Sequence, residues 1–284
     1  MFRNQYDSDV TVWSPQGRLH QVEYAMEAVK QGSATVGLKS KTHAVVVALK
    51  RAANELSSHQ KKIFKIDSHA GVSVAGLLSD GRILARFLQS ECDSYRWQYD
   101  EPIPLEILND RILQKLQMNT QIYGRRPFGV GLLIFGCDSY GPHIVRTEPS
   151  ADVNECFAMA IGSRSQSART YLEKYLDSYP DCDPATLIRH ALLALRDTLP
   201  AEENLTAKNT EIAVVGIGEK YHVIDDEQVQ PYLDAIADVP RARITAQAQA
   251  QQVVEPAADA PVQPDDVEMA DDAPGPGGAQ PPPQ

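Results

Sequence analysis

Strands that come in pairs across short turns, interleaved with helices that also come in pairs, leave this 284-residue chain very few architectures. Residues 34–38 and 44–49 are apolar, β-branched runs divided by Ser40, Lys41 and Thr42, which reads as a hairpin. Residues 63–66 and 72–75 make a second, shorter pair. Leu84, Leu88, Cys92 and Tyr95 then mark a helix, and Leu105, Leu108, Ile112 and Leu116 mark another after the break at Pro102 and Pro104. Strands return at 129–136, 143–147 and 156–161, with turn residues at 138–142. A stripe through Ala168, Tyr171, Leu172, Tyr175, Leu176 and Tyr179 predicts one continuous helix. The next helix runs through Ile188, Ala191, Leu192, Leu195 and Leu199, with Asp183 placed to cap it and Pro184 in its first turn. Strands at 212–217 and 221–224 and a short helix near 226–237 close the series. Hairpin-joined strands pair antiparallel, whereas a parallel α/β fold would alternate strand and helix singly. The predicted class is therefore α+β: a four-layer αββα sandwich, two antiparallel sheets face to face with helix pairs outside. No repeat of solenoid length is apparent.

Ahead of this series, Ser14-Pro15-Gln16-Gly17 specifies a tight turn, with Pro where its fixed φ fits and Gly at the fourth position. Leu19, Val22, Met26 and Val29 follow on one stripe at helical spacing, so an amphipathic helix begins here and needs an apolar partner.

From residue 241 to 284 the composition changes: no aromatic residue, many Ala, Pro, Gln and Gly, and two arginines against seven carboxylates. Such a stretch buries too little apolar surface to offset the entropy of ordering, and is expected to be a disordered acidic tail. The formal charge of the whole chain is -11, which argues against nucleic acid as a partner, since phosphate binding needs a basic footprint. Cys92, Cys137, Cys156 and Cys182 are widely spaced and contain no C-x-x-C pair, which suits a reducing compartment better than a disulfide framework or a zinc site. The first residues have no apolar core, and the longest unbroken apolar run is 44–49, so neither a signal peptide nor a membrane span is expected and the chain reads as intracellular.

Few motifs in the chain carry chemistry. Residues 71–76 have the glycine spacing of a phosphate loop, but Leu77 and Leu78 replace the Lys and Ser/Thr that would hold phosphate and magnesium, so a turn is expected there. The seven histidines lack the spacing of a metal pair, and no G-x-S-x-G elbow occurs. The short basic clusters Arg125-Arg126 and Lys61-Lys62 read as solvated charge.

A resemblance adds to this. Tyr6-Asp7, Thr11, Ser14-Pro15, Gly17-Arg18-Leu19, Gln21-Val22-Glu23-Tyr24-Ala25 and Ala28-Val29 together resemble the N-terminal signature of α-type proteasome subunits. The likeness continues through SATVGLKSKTHAVVVALK and RRPFGVGLLIFG to about residue 239. It implies the N-terminal-nucleophile hydrolase-like sandwich over residues 14–240, preceded by a gate segment at 1–13 and followed by the tail. It also implies a non-catalytic structural and gating subunit of the seven-membered outer ring of the proteasome core, working in cytoplasm and nucleus in ATP- and ubiquitin-dependent degradation. The implied partners are other α-type subunits, β-type subunits and regulatory particles or activators, with no cofactor and no metal. By the same resemblance Leu19, Val22, Met26 and Val29 form a ring-interface helix. Tyr6, Asp7, Pro15 and Tyr24 match the gate cluster, with Ser8 where many relatives have Arg. Gly32, Lys62, Gly76 and Leu77 match the pocket that captures activator carboxylates.

The Gly32-Ser33 step also resembles the self-cleaving junction of N-terminal-nucleophile hydrolases, which use a freed N-terminal residue as nucleophile. Matched to the catalytic β-type subunits, Ser33 takes the nucleophile's place, Lys62 the lysine's, and Lys50 the position of the aspartate. A second positive charge cannot do a carboxylate's work, so no catalytic residue is expected.

Overall fold

The computed structural model describes residues 5–52 and 56–241. The expected tail, apart from Arg241, lies outside the described residues, as do the first four residues of the expected gate segment.

Strand β2 (His43–Leu49) shows why the 44–49 run is unbroken: it is buried on both faces. Val45, Val47 and Leu49 point into a cluster with Leu187, Leu192 and Leu195 on the helix side, while Ala44, Val46 and Ala48 meet Ile63, Phe135, Ile144 and Val215 between the sheets. Burying one such valine contributes about 1.5–3 kcal/mol, so alternation of faces rather than any single contact fixes the register. In the first sheet β2 lies between β1 (Thr35–Lys39) and β9 (Thr210–Gly216), with β8 (Ala158–Ile161) and β10 (Glu219–Ile224) at the edges. The second sheet runs β3 (Ile63–Asp67), β4 (Ala70–Gly76), β5 (Val130–Asp138), β6 (Gly141–Thr147), β7 (Val153–Glu155). Every strand pair is antiparallel, as the hairpins require. Helices α2 (Leu78–Tyr99) and α3 (Leu105–Gln121) cover the second sheet through Leu84, Leu88, Leu108 and Ile112. Helices α4 (Ser165–Lys174), α5 (Pro184–Arg196) and α6 (Gln230–Ala237) cover the first. The four-layer αββα sandwich stands as expected.

Three local expectations fail, each for an identifiable reason. The single helix predicted through 168–179 breaks at Tyr175, and a 3-10 turn follows at Leu176–Asp181. Pro180 has no N–H and its ring would strike the carbonyl of Leu176, so an α-helix cannot run through it. The apolar stripe survives because Tyr179 stays buried and its hydroxyl donates to Leu172 O at 3.1 Å. The glycines at 71–76 do not form a turn but lie within β4, where a Cβ on Gly71 would come within 2.4 Å of the Tyr221 ring. Strand β7 was not expected; it is three residues long and forms only against β6.

Helix α1 (His20–Gln31) lies across β4 and β5 at one end of the sandwich. The turn before it forms as predicted, with Gly17 N–H donating to Ser14 O at 2.9 Å and Gly17 at φ 75°. The Ser14 hydroxyl also accepts from Arg18 N–H at 3.0 Å. The predicted stripe is buried only in part: Leu19 precedes the helix, Val22 is buried together with His20 and Ala25, and Met26 and Val29 are half-buried. Val29 packs toward Gly131, where a Cβ would come within 2.9 Å of its Cγ1. The chain's own strands thus leave part of the apolar face uncovered.

Candidate functional site

The C-terminal end of α1 meets the end of β4 almost backbone to backbone. A Cβ on Gly32 would lie 2.1 Å from Gly76 N, and one on Gly76, which sits at φ 117°, would lie 2.3 Å from Gly129 O. Only glycine allows this crossing. Leu77 N–H donates to Gly129 O at 2.9 Å, and the Leu77 side chain is 47% exposed. Gly32, Gly76 and Leu77 therefore converge on one spot.

Lys62 belongs to the same neighbourhood but not to the surface. Its side chain is buried, and its ammonium donates to Ser33 O, to Ala34 O at 3.4 Å and to Thr35 Oγ1 at 3.1 Å. Burial, with a smaller push from Arg51, lowers it from 10.5 to about 7, and Glu211 opposes the shift. Glu211 is itself buried, which raises its carboxyl above the usual range, while Lys62 N–H and Ile63 N–H, both at 3.2 Å, hold it down. Reading Lys61-Lys62 as solvated charge is wrong for Lys62.

Around Ser33 the groups do not form an acid-base relay. Ser33 is an internal residue between α1 and β1, and its carbonyl is occupied by Lys62. The Thr35 hydroxyl is shared between the Lys62 ammonium and Ser73 Oγ, each at 3.1 Å. Lys50, which stands where a carboxylate would be needed, is not a stranded charge: it pairs with Asp225 and lies 3.9 Å from Asp226.

At the other end of α1, Asp7 joins the N-terminal segment to the helix. Its backbone carbonyl accepts from Gln21 Nε2, and its carboxylate accepts from the Tyr24 hydroxyl at 3.1 Å. Asp7 and Tyr24 are thus in contact, Tyr6 is half-buried beside them in the chain, and Pro15 is exposed in the turn. Arg18 pairs with Glu23 in a two-pronged contact at 2.7 and 2.6 Å across the start of the helix.

Several residues here escaped the sequence reading. Val10, in the expected gate segment, is only 1% exposed. The Asp9 carboxylate takes Thr11 N–H at 2.8 Å and Thr11 Oγ1 at 2.7 Å on one oxygen and Gly124 N–H at 3.1 Å on the other. These bonds, the Thr11 hydroxyl first, keep it below its ordinary range. Asp80, 2% exposed in the first turn of α2, receives both arms of Arg126 at 2.6 and 2.9 Å, plus Gly129 N–H at 3.0 Å. Arg126 holds this carboxyl below the usual range. The pair Arg125-Arg126 is therefore not simply solvated charge. The only advance signal was the RRPFG run, a basic pair set against Pro and Gly.

Comparisons with known proteins give the family. Residues 6–28, the stretch that builds the Asp7 contacts and most of α1, match the N-terminal signature of A-type, that is α-type, proteasome subunits. Residues 29–215 match the proteasome subunit family. The chain belongs to the proteasome subunit family, among its α-type members. It is similar to the alpha type-1 proteasome subunit of Caenorhabditis elegans, 64% identical over 241 residues that cover 85% of this chain and 93% of the relative. The probable alpha type-6 proteasome subunit of Schizosaccharomyces pombe is 52% identical over 261 residues, 92% of this chain and 96% of the relative. The alpha type-1 proteasome subunit of Dictyostelium discoideum is 49% identical over 237 residues, covering 83% and 96%.

Proposed function

We propose that this chain is a non-catalytic member of the outer α ring of the proteasome core particle, supporting β-ring assembly, restricting substrate entry and docking activators in ATP- and ubiquitin-dependent degradation in cytoplasm and nucleus. The observation that carries the reading is α1. It is tied at one end to the N-terminal segment through Asp7, crosses β4 at the other through Gly32 and Gly76, and keeps Met26 and Val29 half-buried. Its open apolar edge suits contact with neighbouring α and β subunits. Residues 6–9 and the residues before them plug the pore.

Docking uses the Gly32, Gly76 and Leu77 corner. A terminal carboxylate arriving there draws on Lys62 by competing with the carbonyl of Ser33 for its ammonium. The decisive experiment deletes residues 2–9 and measures basal peptide hydrolysis by the assembled particle, with activator absent and present. A rise in basal hydrolysis is expected, the hydrolysis being done by β subunits. A truncated particle that assembles normally and matches wild type under both conditions would reduce the role of the segment to architecture.

A further inference from the structure

We infer that Arg126 is a positioning residue that links the Leu77 corner to the N-terminal segment, so that movement at the docking site reaches the gate through the loop at 122–126. The inference rests on the docking and gating reading above. A line of hydrogen bonds carries it. Leu77 N–H donates to Gly129 O at 2.9 Å, and Gly129 N–H donates to Asp80 Oδ2 at 3.0 Å. The same carboxylate takes Arg126 through both terminal nitrogens, and one of these also holds Pro127 O at 3.0 Å. Two residues back, Gly124 N–H donates to Asp9 Oδ2 at 3.1 Å, and Asp9 lies two residues from Asp7 with its Gln21 and Tyr24 contacts.

The line has little slack at the end where it begins. Gly76 and Gly129 touch as bare backbone, and a Cβ on Gly129 would come within 2.8 Å of the Leu77 side chain, so a displacement of 76–77 moves 129 with it. Asp80 cannot swing to absorb that movement, because it is buried and held from three nitrogens. At the far end the turn is aimed rather than packed: Gly124 sits at φ 78° with open space around it, and Arg125 N–H closes on Ile122 O at 3.2 Å, which leaves the Gly124 N–H free for Asp9. The turn and its Asp9 bond therefore travel as a unit with Arg126.

Two variants in the assembled particle test this. Asp9→Asn keeps an oxygen for Thr11 but sets an amide donor against Gly124 N–H. Arg126→Lys keeps a cation beside Asp80 but loses the fork. Affinity is measured with a labelled peptide ending in a free carboxylate, and opening by the stimulation of fluorogenic-peptide hydrolysis that an intact activator produces. Both variants are expected to bind the peptide within about twofold of wild type, while stimulation falls at least about fivefold. Wild-type stimulation in both variants overturns the link, as does a loss of stimulation no greater than the loss of binding. A wild-type particle that binds no peptide overturns the docking reading instead, and is recognised before any variant is compared.

Discussion

Replacing Lys62 with Met tests the burial of that ammonium directly. A lysine whose value falls from 10.5 to about 7 on folding holds fewer protons in the folded chain than in the unfolded one between those two pH values. Stability supplied by the wild-type residue therefore rises with pH across that window and is at its lowest below about 7, where the buried group must stay charged. At about 1.4 kcal/mol per pH unit, the interval amounts to about 5 kcal/mol. Met fills the space of the lysine stem but leaves Ser33 O, Ala34 O and Thr35 Oγ1 without their donor, a cost that does not vary with pH. Urea unfolding of the purified wild-type and Lys62→Met chains from pH 6 to pH 10 should show wild type gaining on the variant as pH rises. A difference that stays flat over the whole range would mean that the three oxygens hold the ammonium near its ordinary value and that burial does not dominate.

Other substitutions probe other parts of the site. Intact-mass analysis of the wild-type chain and of Ser33→Ala should show no product beginning at residue 33 in either, because the Ser33 carbonyl is held by Lys62 and Lys50 stands where a carboxylate would be needed; a cleaved wild type and an intact variant would revive the hydrolase reading. Met26→Asp should block incorporation into assembled particles far more than Glu27→Lys, since the first puts a charge on the half-buried apolar edge of α1 and the second changes an exposed carboxylate. Equal cosedimentation of the two with particles would contradict that. Gly32→Ala should destabilise the chain by about 1–3 kcal/mol through overpacking against Gly76, read as a lowered urea midpoint with unchanged slope. An unchanged midpoint would show that the crossing can open without cost.

What was legible in the sequence was local. The β1–β2 hairpin announces itself through β-branched runs around Ser40-Lys41-Thr42, and α2 and α3 through stripes whose period their own burial confirms, whereas α5 is buried all round from Ala191 to Arg196. The turn before α1 was equally plain, because Pro15 and Gly17 act on their own backbone. The misses depend on partners far away along the chain. The partner of Lys50 could not be read because Asp225 is 175 residues on, and Lys62 looked solvated because the carboxylate bonded to its own N–H, Glu211, is 149 residues on. Asp80 and Arg126 are 46 residues apart, and Asp9 and Gly124 are 115. No window of periodicity spans such distances. Pro180 misled for a different reason: its effect falls four residues upstream, on Leu176, where the apolar stripe still looks helical.

The place of β2 between β1 and β9 also sets an order of events at the ribosome. β1 can pair as soon as the first hairpin emerges, but the other neighbour, Thr210–Gly216, is made only after most of the sandwich has been synthesised. Until then a strand that is apolar on both faces presents an unpaired edge, the kind of edge that recruits foreign strands. Release of a chain shortened before residue 210 would make that exposure permanent, so interrupted translation should yield aggregates rather than a smaller folded unit.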